Sequence, residues 1–117
     1  MAGSDGPAEV TDNPAASRFE VSIGGRRVGL AAYRQSGATV TLTHTEIDDG
    51  HEGQGLASSL VKGALDLLRE RGAAVVPECS FVRSYIQRHH EYLTLVKAAD
   101  RQRFSLPGPS DSGSPNG

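Results

Sequence analysis

Polar and apolar residues alternate along Arg18-Phe19-Glu20-Val21-Ser22-Ile23, the period of a half-buried strand. Gly24-Gly25 supplies the positive φ angles of a two-residue hairpin turn, so Arg26 to Arg34 is expected to pair back antiparallel. Ser36-Gly37 is a second turn signal, and the β-branched run from Ala38 to Ile47 completes an antiparallel three-stranded meander. The period then lengthens. Leu56, Leu60, Ala64, Leu67 and Leu68 fall on one helical face, while Lys62, Asp66, Arg69 and Glu70 fall elsewhere, which predicts an amphipathic helix laid on the sheet.

Gly72 is placed to end that helix in a left-handed C-cap. Ala73-Ala74-Val75-Val76 suits a short strand buried on both faces, and a strand, helix, strand order makes it parallel to Ala38–Ile47 through a right-handed crossover. A second helix is expected from about Ser80 to His89, with Phe81, Tyr85 and His89 spaced on one face. The fold class predicted is therefore α/β: meander, helix, parallel strand, helix.

Composition sets the limits of that unit. Residues 1–17 and 105–117 are rich in Gly, Pro, Ser and Asp with little to bury, and are expected to be disordered tails around one domain at 18–104. A formal charge of −2 with both signs mixed argues against a nucleic-acid partner. No apolar run approaches the roughly 20 residues that span a bilayer, and the N-terminus lacks the layout of a signal peptide, so no membrane partner and a cytoplasmic location are expected. The single cysteine, Cys79, leaves no internal disulfide and no cysteine zinc cluster.

The segment Glu52-Gly53-Gln54-Gly55-Leu56-Ala57-Ser58 joins a strand end to a helix start. Backbone N–H groups at a helix N-terminus are unpaired and carry partial positive charge, so they bind a phosphate without help from lysine or arginine. Glycine lets the backbone come close to the anion, although the same glycines would also serve a plain strand-to-helix turn. A P-loop needs a lysine that is missing here, and a dinucleotide-binding unit needs a third glycine after an early strand.

The meander, then Ile47 through Ala57, then a helix closing at Arg71-Gly72, then Val75-Val76-Pro77-Glu78-Cys79-Ser80-Phe81-Val82-Arg83-Ser84-Tyr85-Ile86, together resemble the GNAT superfamily of N-acetyltransferases, and within it the very small single-domain GNAT-like proteins. The resemblance covers roughly Arg18 to Val96. It implies acetyl-CoA as co-substrate and an amine as acceptor, with no metal. It further implies a pyrophosphate on the amides of Gly53, Gln54, Gly55, Leu56, Ala57 and Ser58, and a pantetheine arm between the splayed strands Thr43–Ile47 and Val75–Cys79, with Ile47 at the strand end. This chain departs from the superfamily in having Glu52 where Gln or Arg is usual, and in lacking the helices between the first two strands that shape the acceptor side.

Acetyl transfer to an amine needs a base for the amine proton, a donor to the carbonyl and an acid for the leaving thiolate. Cys79, at a strand end and helix start, is read as a nucleophile, a thiol lining the acyl pocket, or a small buried hydrophobe. Tyr85 is read as the acid or as an aromatic packing residue. His44 and Glu46 share the face of Val40 and Leu42 and are read as general bases at the mouth of a cleft, or as a satisfied core histidine and a solvated strand-end glutamate. The His89-His90-Glu91 run lacks the partners a metal site needs, and Arg83 and Arg88 are read as a solvated face or, in the second place, as partners of the coenzyme's 3′-phosphate.

Overall fold

The computed structural model describes residues 8–51 and 55–108. A five-stranded sheet in the order β1-β2-β3-β4-β5 is built from Ala8–Asn13, Arg18–Ile23, Arg26–Ser36, Thr39–Ile47 and Ala74–Pro77. Strands β1 to β4 pair antiparallel and β5 pairs parallel to β4. Helix α1 (Leu56–Glu70) connects β4 to β5, and α2 (Ser80–Arg88) and α3 (Ala98–Arg103) follow, separated by a 3-10 turn at His90–Leu95.

The turns form where the glycines stand. Gly24 and Gly25 both have positive φ, 59° and 82°, as a tight hairpin requires. At the end of α1, Ala73 N bonds Leu68 O and Gly72 N bonds Arg69 O, with Gly72 left-handed at φ 69°, so a Schellman motif satisfies the last carbonyls.

Two departures from the sequence reading concern the ends. Ala8–Asn13, read as part of an N-terminal tail, is an edge strand running antiparallel to β2, with Val10 opposite Val21 and Asp12 opposite Phe19. Its composition hides it because backbone pairing and one valine hold it in place. Asp12 adds a bond from the Tyr33 hydroxyl at 2.7 Å and an ion pair with Arg71 at 2.8 Å. At the other end Leu106, placed in the C-terminal tail, is buried. Of the two expected tails, 1–7 and 109–117 lie outside the described residues.

A single extra residue decides which face of β4 points where. Tyr33 pairs with Leu42 and the preceding Ala32 pairs with His44, so Thr43 bulges. Before the bulge Val40 and Leu42 are buried beneath the helices, and beyond it Thr45 and Ile47 take over that face, opposite the buried Ala31 and Gly29. The expectation that His44 and Glu46 continue the Val40 and Leu42 face is thereby corrected: they lie on the opposite face, beside Ala32 and Leu30. None of Arg18, Glu20, Ser22, Leu30, Ala32, His44 and Glu46 on that face is buried.

The core lies between the other face and the helices. Helix α1 presents Leu56, Leu60, Val61, Ala64, Leu65 and Leu68 to it, a wider stripe than predicted, while Leu67 is half-buried at its border. Burying each leucine fully contributes about 1.5–3 kcal/mol. Strand β5 is shifted by one residue and less enclosed than expected: it is a sheet edge with Ala74 and Val76 only half-buried, and Pro77, which has no N–H to donate, fits that edge.

Candidate functional site

Strand β4 outruns β5. Their parallel pairing ends at Leu42 opposite Pro77, and Cys79 N reaches back to Leu42 O at 2.9 Å, so Thr43 to Ile47 continue without β5 beside them. Helix α1 starts and α2 passes beside this unpaired half. Between them lies a cavity of about 280 Å³, lined by Ile47, His51, Gly55, Leu56, Ala57, Ser58 and Phe81.

The floor of the cavity is the first turn of α1. Gly55 is its N-cap with φ 72° and no side chain caps it, and the first intrahelical bond runs from Ser59 N to Gly55 O at 3.0 Å. The amides of Leu56, Ala57 and Ser58 therefore have no acceptor within the helix, and the positive end of the helix dipole points at the cavity. A Cβ on Gly55 would meet nothing within 4 Å, so glycine is required there by the left-handed backbone rather than by crowding.

The loop from β4 into α1 is tied at its start, with Asp48 N on Val28 O at 2.8 Å and His51 N on Asp48 O at 3.0 Å. His51 is partly buried, and its Nδ1 is buried without a hydrogen-bond partner among the described residues. Nothing in the sequence pattern singled it out; a histidine directly ahead of a glycine-rich helix start is the only signal it gives. Phe81, expected on a packing face of α2, is half-buried and forms the wall opposite Ile47.

Of the residues expected to hold a coenzyme, Ile47, Gly55, Leu56, Ala57 and Ser58 are gathered around this cavity, whereas Gly53 and Gln54, with Glu52, lie outside the described residues. The residues singled out for catalysis do not form one cluster. Cys79 caps α2 from an extended backbone, is 9% exposed, and sets Sγ 3.4 Å from Thr45 Oγ1 at the fork of β4 and β5. Tyr85 is buried in the seam of α2 with the following 3-10 turn, stacked on His89 at 4.1 Å and tilted against Tyr92 at 6.0 Å. Burial raises its phenol pKa, and it does not line the cavity. His44 Nε2 meets Glu46 Oε2 at 2.6 Å on the uncovered sheet face, both side chains more than half exposed.

Arg83, read as solvated, turns back to donate to the carbonyls of Pro77 and Glu78 at 3.2 and 2.9 Å and lies over the Phe104 ring. It thereby fastens the strand end that leads into Cys79. Among the described residues no group of His, Cys, Asp and Glu has the arrangement of a metal site, and no helix is long and apolar enough to cross a membrane.

This geometry has relatives. The profile of the GCN5-related N-acetyl-transferase family matches residues 18–95, from β2 to the end of the 3-10 turn after α2. The chain belongs to that family. Over 87 residues it is 31% identical to Protein NATD1 of Mus musculus, covering 72% of this chain and 78% of that protein. Streptothricin acetyltransferase of Streptomyces lavendulae is 37% identical over 75 residues, 61% of this chain and only 40% of the enzyme. The solution structure of a GCN5-like protein from Staphylococcus aureus superposes with a TM-score of 0.58 over 83% of this chain and 91% of that one, at 19% identity, which is a likeness of fold.

Family members generally use acetyl-CoA as co-substrate, and the cavity fits an anion followed by a slender arm. Unpaired amides of the first turn of α1 and the His51 imidazole offer donors, while Ile47, Leu56 and Phe81 offer apolar walls. The volume is near the lower limit of small-molecule pockets, about 300–1,000 Å³, and suits part of such a ligand rather than a whole nucleotide.

Proposed function

We propose that this chain is an acetyl-CoA-dependent N-acetyltransferase acting on an amine. The observation that carries the reading is the cavity floored by the first turn of α1, where amides of Leu56, Ala57 and Ser58 and the helix dipole meet a wall made by Ile47 and Phe81.

Bound there, the coenzyme would supply an activated acetyl group. The chain's part is to hold and orient it. The amides of α1 take the diphosphate, the unpaired half of β4 offers backbone groups to the amide-bearing arm, and the fork near Thr45 and Cys79 receives the thioester. His44 and Glu46 stand on the other face of the same strand, and the hydrogen bond between them suits a pair that accepts the amine proton from an acceptor approaching that uncovered face. Tyr85 is less suited to protonate the thiolate, since it packs in the helical seam.

One observation favours a second reading, an acyl-CoA-binding module with little turnover. Only the 3-10 turn Pro14–Ala16 stands between β1 and β2, so no helix there covers the face that carries His44 and Glu46. An acceptor would have to be large enough to hold itself on an open sheet.

Titration with acetyl-CoA, followed amide by amide in solution, tests the coenzyme reading. Shifts are expected at Ile47, Gly55, Leu56, Ala57, Ser58 and Phe81, with the Gly24-Gly25 turn unmoved. Shifts centred on the hairpin, or none at millimolar ligand, would overturn it. Turnover on a panel of primary amines then separates enzyme from binding module.

A further inference from the structure

The first turn of α1 suits an anion, yet among the described residues no lysine or arginine lines the cavity, and only His51 and Ser58 bring a side-chain hydrogen-bond donor to it. His51 is also the residue whose polarity is unanswered. Its Nδ1 is buried with no partner among the described residues, so the ring's single N–H is best kept on Nε2. The position is not slack, because the backbone turn from Asp48 O to His51 N fixes where the ring begins.

Building on the coenzyme reading above, we propose that the His51 imidazole is a ligand of the coenzyme's diphosphate: with Nδ1 sealed from the cavity and without an acceptor among the described residues, the ring's N–H belongs on Nε2, the nitrogen left to meet a phosphoryl oxygen. A neutral imidazole carries one N–H and chooses which nitrogen holds it, so a phosphoryl oxygen arriving in the cavity fixes the proton on the nitrogen that faces it. Together with the amides of Leu56, Ala57 and Ser58, this donor completes a cradle for the anion on the side of the loop, opposite the helix. It also accounts for how the site would hold an anion with no cationic side chain among the described residues of its wall.

The test compares coenzyme A with pantetheine, which has the arm and lacks the phosphates, on the full chain and on His51→Ala, with affinities taken from amide shifts. His51→Ala should weaken coenzyme A about tenfold, the range of a hydrogen bond to a charged group, and leave pantetheine unchanged. Nitrogen-15 spectra of the imidazoles in the unaltered chain give a reading that needs no variant: coenzyme A should shift the His51 ring nitrogens and pantetheine should not. Equal affinity of variant and parent for coenzyme A, an equal loss for both ligands, or unmoved ring nitrogens would overturn the role of His51 while leaving the coenzyme reading intact. Failure of the unaltered chain to bind coenzyme A would overturn both.

Discussion

Val10 on the edge strand lies so close to Gly63 on α1 that a Cβ added to the glycine would stand 2.6 Å from Val10 Cβ, with both methyl carbons of the valine inside 3.0 Å. A mid-helix glycine normally costs about 1 kcal/mol relative to alanine. Here that cost is offset by the docking of β1. Gly63→Ala should therefore fail to stabilise the chain: the propensity gain of about 1 kcal/mol competes with overpacking of about 1–3 kcal/mol, and β1 gives way first. Urea unfolding with hydrogen exchange reads both, through the midpoint and through lost protection of the β1 amides. A Gly63→Ala chain that is more stable with β1 fully protected would mean that the strand does not depend on this contact.

A second close approach ties the sheet to the cavity. A Cβ on Gly29 would meet Ile47 Cδ1 at 2.6 Å and the Glu46 carbonyl at 2.9 Å. Since the carbonyl is backbone, β3 and β4 would have to part where Ile47 lines the cavity. Gly29→Ala is expected to lower stability by about 1–3 kcal/mol and to weaken acetyl-CoA at the same time. Loss of stability with unaltered affinity would show that the position of Ile47 does not matter to binding.

Ser58 separates stability from binding. A carboxylate in the first turn of a helix favours the dipole by about 0.3–1 kcal/mol, but at this position it would stand in the cavity wall. Ser58→Glu should thus unfold at equal or higher urea while losing coenzyme affinity by tenfold or more. Retained affinity in a folded variant would remove the anion from this turn.

How much of this could be read from the sequence depended on whether one residue or a whole pattern carried the information. Long apolar periods announced β2 to β4, α1, β5 and α2, and the glycine-rich junction gathered Ile47 with Gly55 to Ser58. Val10 is the one large apolar residue in Ala8–Asn13, so its strand was invisible until Gly63 and β2 were beside it. The bulge at Thr43 turned His44 and Glu46 to the far face without disturbing the alternation that predicted the opposite. His51 was missed because an unpaired ring nitrogen has no counterpart in a pattern of residue types.

All the tyrosines make the fold sensitive to alkali. Burial, and then the hydrogen bond to Asp12, push the Tyr33 phenol up to about 12; burial and Asp66 raise Tyr92 as well, and burial raises Tyr85. A folded-state pKa above the unfolded value of about 10 means that the unfolded chain gives up its protons first. The stabilisation is then complete below about pH 10 and is lost as pH climbs through the folded values. The urea midpoint should fall between about pH 10 and about 12, and less steeply in Tyr33→Phe, which keeps the ring and has no phenol to titrate. A midpoint independent of pH over that window would contradict the burial of these hydroxyls.

Cys79 is the only thiol in the chain, so alkylation reports on it alone. Its sulfur is nearly covered and touches Thr45 Oγ1 on the unpaired half of β4, beside the place where the proposed arm would end. Alkylation should be slower than that of an exposed thiol and slower again at saturating acetyl-CoA, since a ligand in the fork would close the remaining approach. Cys79→Ser keeps the volume and a weak polar contact to Thr45, and should still bind the coenzyme. If the sulfur also takes the acyl group, its thiolate attacks the thioester carbonyl and the coenzyme leaves as a thiolate, so intact mass of the unaltered chain gains one acetyl group that Cys79→Ser lacks. Equal alkylation rates with and without saturating coenzyme would put Cys79 outside the fork's ligand site and leave His44 and Glu46, on the opposite face, as the groups to test by Glu46→Gln and His44→Ala.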